Sequence, residues 1–406
     1  MTLTEISGVP VRPVLLHALS AILPTAAQTR LLRATLHSGE AGREAWESWY
    51  EADNPILTLR EDGRSIKKLL PLLHESRRRN SIDTDKELGS YLRAAHYREE
   101  LRTSAYRDIA RSVFGSFETA GIGFIALKGA ALADAVYQAP ALRHSHDINV
   151  LIREADLPSA IALLPALGFE PPGRQPGAHE DVELRHESGL PLVLHRHLFK
   201  TPFYNAAAEE VWARSEVHDV AGLPTRILSP ADNLMHVCGY AASHRNRASL
   251  VWVCDSWMII DHDPDLDWDA LLDSARRSHL ALPLCVTLGY LAHELGAPLP
   301  ASFLRRLHDA AARAGAVERE AALLGARAGD RGSLQSLVMR SSGWAARLQL
   351  LQWVLLPSPA YLRWVSSASS SWLLPFYYVY HPLKYIARGT LRRLMGRGQH
   401  RAATPA

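Results

Sequence analysis

The sequence predicts an α+β protein in which a small mixed β-sheet sits between helical regions, and three observations carry that expectation. From Val14 to Thr119 apolar residues recur at helical spacing, between Gly121 and Leu198 short apolar runs alternate with glycine turns, and from Asn233 to Arg327 helical patterning returns. A chain of 406 residues is too long for one compact core. The changes in texture divide it into a helical region (1–119), an α/β core (120–228), a second helical region (229–330) and an aromatic, basic C-terminal region (331–406). With 47% hydrophobic and 21% charged residues the composition is globular and excludes wholesale disorder. No repeat recurs at a fixed period, which argues against a solenoid.

In the first region Leu15, Leu19 and Leu23 are spaced by four, and Tyr91 to Glu118 holds no proline and one late glycine, Gly115, so one long or two abutting helices are expected. Phe124 to Leu127 then reads as a strand, Lys128-Gly129 as a turn and Ala130 to Tyr137 as a helix. After a polar connection, Asp147 to Ile152 reads as a second strand. Side chains alternate there, so Asp147 and Asn149 share one face while Ile148, Val150 and Ile152 point into the core. Asp156 is placed to cap a helix through Leu157, Ile161, Leu164 and Leu167 that stops at Gly168, with Pro165 bending its last turn.

Residues 171–180 are loop by composition. Two strands joined by Ser188-Gly189 follow, Asp181 to Glu187 and Leu190 to Leu198, with Leu190, Leu192 and Leu194 on one face and Val193, His195 and His197 on the other. A linking stretch leads to Ser229-Pro230-Ala231-Asp232, a helix start with Ser as N-cap and Pro at the first helical position. Asp267-Trp268 opens a further helix, and Pro298 to Pro300 separates two more.

Cys238, Cys254 and Cys285 form no close pair, so neither a disulfide framework nor a CxxC zinc site is indicated, and a reducing compartment is expected. The spacing of His236, Cys238, His244 and Cys254 fits no standard zinc pattern. The opening MTLTEISGVPVRP lacks a basic start followed by an apolar core, so a cytoplasmic location without a secretory signal is expected. Charge is unevenly distributed. Ten of the 45 bases and none of the 42 acids lie beyond Asp330, which leaves a +10 tail on a remainder of −7.

Chemistry is concentrated around the first two strands. A carboxylate and an amide at i and i+2 on a strand offer oxygen ligands to a hard cation, and a glycine turn opening a helix offers N–H groups to phosphate. Lys128, one of six lysines, adds a point charge beside that turn.

Leu127-Lys128-Gly129, Arg143, Asp147-Ile148-Asn149 and the later strand through His195 resemble, in order and spacing, the polymerase-beta-like nucleotidyltransferase palm. The nearest resemblance is to a bacterial, uncharacterised nucleotidyltransferase branch. It continues through Leu228 to Asp232, His244-Arg245, Trp252 to Asp255 and Asp267-Trp268, over roughly residues 100–300.

The resemblance implies Mg²⁺ or Mn²⁺ at Asp147 and Asn149, a nucleoside triphosphate such as ATP near Lys128, Gly129 and Arg143, and transfer of its nucleoside monophosphate to an unidentified acceptor hydroxyl. Lys128, Arg143 and His195 take supporting electrostatic roles. Two of the three expected metal carboxylates are replaced, by Asn149 and by Val193. Asp181, Glu183, His195 and His197 are the nearby substitutes, although His prefers softer metals. The alternative reading is a catalytically degenerate nucleotide-binding or scaffold protein.

In the tail, residues 344–385 hold Trp344, Trp353, Trp364, Trp372 and five tyrosines, interrupted by Pro357, Pro359 and Pro375. Neither charge-free run makes a membrane span. Two readings remain: an aromatic helical subdomain packed on the core, which is favoured, or a peripheral anchor on an anionic inner membrane face through residues 344–401. No nucleic-acid reading motif accompanies the bases.

Overall fold

The computed structural model describes residues 13–52, 64–173, 177, 180–199, 202–204, 208–243, 249–327, 343–366 and 375–378, together with the single positions 55, 59 and 380. Helices α1 (Pro13–Ser20), α2 (Ala26–Leu36), α3 (Gly39–Ala52), α4 (Arg64–Lys67) and α5 (Leu70–Arg79) lead into α6 (Lys86–Thr119), one continuous helix of 34 residues. Its start is fixed by Asp85, whose carboxylate accepts the Leu88 N–H at 2.8 Å. The Thr25 hydroxyl and the Gln28 side chain form a reciprocal capping box at α2.

The described strands form one mixed sheet of six: β1 (Phe124–Leu127), β2 (Ile148–Ile152), β3 (Val182–Arg185), β4 (Pro191–His195), β5 (Glu216–Val220) and β6 (Leu223–Ile227), in the order β3-β4-β2-β1-β6-β5. β2 runs antiparallel to β1, placing Asn149 opposite Leu127, and parallel to β4, placing it opposite Val193. β1 and β6 are parallel, and the outer pairs β3/β4 and β5/β6 are antiparallel hairpins. The architecture is therefore α+β, as expected.

Helix α7 (Lys128–Ala135) follows β1 without a linker, so Lys128-Gly129 lies inside the first helical turn rather than ahead of it. Helix α8 (Leu157–Leu163) gives way to a 3₁₀ turn at Leu164–Leu167 that carries Pro165 and ends at Gly168, φ +81°. Asp156 precedes α8 but is itself in a helical conformation and makes no side-chain capping bond, so the expected cap is absent. The stretch read as a linker holds α9 (Ala208–Arg214) and the β5/β6 hairpin, whose turn places Ala221 and Gly222 at φ +55° and +82°.

Then come α10 (Pro230–Ser243), α11 (Val251–His262), α12 (Trp268–Arg277), α13 (Ala281–Glu294), α14 (Ala301–Ala312), α15 (Ala316–Arg327), α16 (Trp344–Leu355) and α17 (Pro359–Ser366). The Ser229 hydroxyl accepts the Asp232 N–H, the N-cap expected for α10.

Three apolar clusters hold these elements together. The largest joins the N-terminal helices to α10, α11 and α13, through side chains such as Leu32, Trp46, Leu88, Leu234 and Leu284. A second fills the space between one sheet face and α6 and α8, with Phe114, Phe117, Val150, Leu157, Leu192 and Leu194 at its centre. A smaller third lies on the opposite face, built on Ile125, Leu127, Leu151, Val211 and Leu228. The three cysteines are buried and form no disulfide. No helix of the described residues is long and apolar enough to cross a membrane.

Part of the C-terminal segment packs on the core. Tyr361 and Leu362 are buried, the Arg196 guanidinium lies 5.5 Å from the Tyr361 ring centroid, and Trp353 contacts His197 at 6.3 Å between ring centroids. The basic stretches Lys384 to Arg388 and Leu391 to Leu394 lie outside the described residues, as do His244 and Arg245.

Candidate active site

At the end of β1 the chain turns sharply. Lys128 adopts φ +55°, a conformation that costs a residue bearing a Cβ and is maintained only where surroundings over-determine it. Gly129 permits the contact that does so. A Cβ there would lie 2.0 Å from Ser145 Oγ and 3.0 Å from an Arg143 nitrogen, so the loop before β2 can close on α7 only over a glycine.

That loop is held from two sides. On α6, Arg102 donates to the Ser145 carbonyl, and the Glu99 carboxylate lies 2.9 Å from His144 Nδ1. On α11, Asp255 accepts a bidentate pair from Arg143, at 2.7 and 2.8 Å, and a third bond from the Tyr137 hydroxyl at 2.7 Å. Burial opposes the charge on Arg143, yet the Asp255 carboxylate outweighs it and raises the guanidinium pKa. Arg143 is thus a largely buried fixed charge beside the site, 12% exposed at its side chain, and its donors are committed to Asp255 and the His144 carbonyl.

The loop delivers Asp147 just before β2. Its side chain is 28% exposed, and its one ion-pair contact within 4 Å among the described residues is His146, with Nδ1 at 4.0 Å. Burial alone would raise its carboxyl pKa, but His146, Lys128, the Asn149 amide and Arg143 together hold it below its ordinary value. Lys68, just past α4, faces the same group. Burial and then Arg143 push its ammonium pKa down while Asp147 opposes them. Burial likewise lowers His146, against the pull of Asp147.

Asn149 behaves differently from Asp147. It is 0% exposed, and its Oδ1 accepts from Lys128 Nζ at 3.1 Å and from His195 Nε2 at 2.8 Å. An ammonium can only donate, which fixes the amide with its oxygen toward Lys128 and makes His195 a donor to the same atom. His195 Nδ1 in turn lies 3.1 Å from Asp181 Oδ2, an ion-pair distance without hydrogen-bond geometry. The Asn149 Nδ2 makes no hydrogen bond of good geometry, yet the Asn149 side chain is among the groups that lower the Asp147 carboxyl pKa. Lys128 Nζ also sits 4.3 Å from the centroid of the Tyr240 ring on α10, a cation–π contact.

The structure therefore brings Lys128, Gly129, Arg143, Asp147, Asn149 and His195 into one corner. Asp181 joins through His195, whereas Glu183 is turned toward Arg185, at 3.7 Å, with 62% of its side chain exposed. His197 packs near Trp353, and burial lowers its pKa. Among the described residues, no three His, Cys, Asp or Glu converge as a metal would require.

Sequence reasoning missed Asp255 as the partner of Arg143, Tyr137 as a second donor to Asp255, Tyr240 as a partner of Lys128, and Lys68. Lys68 belongs to one of the few lysine-bearing stretches in an arginine-dominated chain, and that scarcity was its only signal.

A family model described as uncharacterised nucleotidyltransferase matches residues 66–296, a span reaching from beside Lys68 to the end of α13. It covers more than half of the 406 residues, and the chain belongs to this uncharacterised nucleotidyltransferase family. Neither the curated proteins nor the solved structures contain a match.

Proposed function

We propose that the protein binds a nucleoside triphosphate at the Lys128–Asp147 corner and transfers its nucleoside monophosphate to an acceptor hydroxyl. The acceptor oxygen bonds to the α-phosphorus as the α–β anhydride bond breaks, pyrophosphate leaves and the hydroxyl proton passes to solvent. The observation that carries this reading is the isolation of one partly exposed carboxylate, Asp147, kept ionised beside the basic groups Lys128, Arg143, Lys68 and His146. A polyanionic donor and its counter-cation need that combination of opposite charges in one place.

The donor set suits one divalent cation and not two. Mg²⁺ or Mn²⁺ retains several waters and is commonly held by one carboxylate together with substrate phosphates, a part Asp147 can play. Asn149 offers an oxygen already engaged by Lys128 and His195, and Val193 offers none. When bound, the cation would neutralise charge on the phosphate oxygens.

The rest falls to the chain's own side chains. Lys128 supplies a fixed positive charge, held in place by the Asn149 oxygen and the Tyr240 ring. His195 donates to the same oxygen and keeps it aimed at Lys128. Arg143 adds field from beside the site, and the first turn of α7 offers backbone N–H groups to phosphate.

Radiolabel at the α-phosphate tests the reading. With Mg²⁺ or Mn²⁺ and cell extract, the wild-type protein is expected to label an acceptor that Asp147→Asn leaves unlabelled, and equal labelling by both proteins rejects it. The second reading, a nucleotide-binding scaffold without transfer, is supported by the lack of a three-carboxylate cluster among the described residues. It predicts triphosphate uptake with no labelled product.

A further inference from the structure

The proposed chemistry makes no use of α16, and this helix presents two unlike faces. Leu350 is 0% exposed and packs into the main core, whereas Trp344, Leu348 and Leu351 are 79%, 52% and 41% exposed. Offsets of four and seven residues from Trp344 place those three on one stripe. Leu356 just beyond the helix is 52% exposed, and farther along the sequence Phe376 and Tyr380 are 65% and 46% exposed. Elsewhere among the described residues the large exposed hydrophobic side chains are Tyr50, Tyr97, Leu101 and Val217, scattered over α3, α6 and β5. A contiguous apolar stripe calls for an explanation that scattered residues do not.

Charge selects the occupant. Every ionisable Lys, Arg, Asp or Glu beyond Asp330 is basic, ten in all, and the exposed Arg347 flanks the stripe. Two copies meeting through this segment would bring like charges together. A nucleic acid would answer the bases but leave the Trp and Leu side chains in water. An anionic bilayer answers both, because Trp settles at the headgroup level, Leu enters the acyl boundary and the bases attract the lipid charge.

We propose that the Trp344/Leu348/Leu351 face of α16 is a peripheral docking surface for anionic phospholipid bilayers, with the bases of the acid-free C-terminal sequence, the exposed Arg347 among them, supplying the electrostatic half of the binding. No helix of the described residues is long enough to cross, so the contact lies in the interfacial plane.

Flotation of the full-length protein with vesicles of phosphatidylcholine, with and without phosphatidylglycerol, is the test. Wild type is expected to float with the anionic vesicles and to bind about tenfold less to neutral ones or at high salt. The triple variant Trp344→Ser, Leu348→Ser, Leu351→Ser is expected to lose about tenfold in binding to anionic vesicles while keeping its far-ultraviolet circular dichroism. Should the triple variant fail to fold, Trp344→Ser alone, altering the most exposed of the three, carries the test with a smaller loss. The proposal is overturned if wild type stays at the bottom of the gradient. It is equally overturned if the variants float as well as wild type, or if light scattering without lipid shows that they convert a wild-type dimer to a monomer.

Discussion

Asn149 and Val150 are neighbours on β2, both 0% exposed, and they belong to opposite faces of the sheet with opposite physics. Val150 joins Ala126, Leu192 and Leu194 against α6 and α8, where each such side chain contributes about 1.5–3 kcal/mol by leaving water. Asn149 gains nothing of that kind. Its burial is tolerable because Lys128 and His195 both donate to its oxygen. Degree of burial therefore does not separate core from site in this sheet, and the chemistry of the partners does. The same contrast separates Asn149 from Asp147, two residues away, whose carboxylate stays partly exposed with one ion-pair contact at 4.0 Å among the described residues.

Four substitutions test that contrast, in decreasing order of expected effect. Arg143→Ala leaves the buried Asp255 carboxylate without its counter-charge and with only the Tyr137 hydroxyl still donating to it, and urea denaturation should record a loss of about 3–5 kcal/mol. A loss under about 1 kcal/mol would mean that the loop before β2 is held by something else. On the apolar face, Leu192→Ala should cost about 2–5 kcal/mol by leaving a cavity. Triphosphate affinity, measured on the same variant under native conditions, should not move.

Asn149→Ala removes one acceptor from two donors and is expected to cost about 1–3 kcal/mol, but here triphosphate affinity should fall as well, because Lys128 loses its tether. If Leu192→Ala and Asn149→Ala change binding equally, the two faces are not functionally distinct.

Asp147→Asn is the mildest for stability and the most informative in pH. The folded-state pKa of Asp147 lies below its ordinary value of 3.8, so its charge stabilises the fold above that value, and the contribution is lost as pH falls through the folded pKa. The stability gap between wild type and Asp147→Asn should hold steady at neutral pH and close in acid. A gap that widens in acid would contradict the assignment.

Much of the fold was legible because periodicity reports burial. Leu190, Leu192 and Leu194 lie on the core face as their alternation predicts, and α6 runs through the proline-free stretch read as helix. The β5/β6 hairpin escaped notice because Pro224 and the charged Asp219 and Arg226 break the apolar alternation, while the turn that makes it, Ala221-Gly222, is an uncommon pair for that geometry.

At the site, Asp147, Asn149 and Lys128 could be picked out because they sit beside strand ends. Their partners could not. Asp255 and Tyr240 reach the corner from helices about a hundred residues further along the chain, and no local pattern marks an interaction made only by tertiary packing. The alternation that placed Asp147 and Asn149 together also missed that Asp147 lies just before the strand, which is why one is partly exposed and the other sealed.

Isothermal calorimetry of a nucleoside triphosphate with Mg²⁺ tests the central assignment most directly, using wild type, Lys128→Met and Asp147→Asn. Saturable uptake by wild type, weakened about tenfold or more in Lys128→Met and made insensitive to Mg²⁺ in Asp147→Asn, is the predicted result. Uptake of equal strength and equal Mg²⁺ dependence in all three folded proteins, or none in wild type, would contradict it.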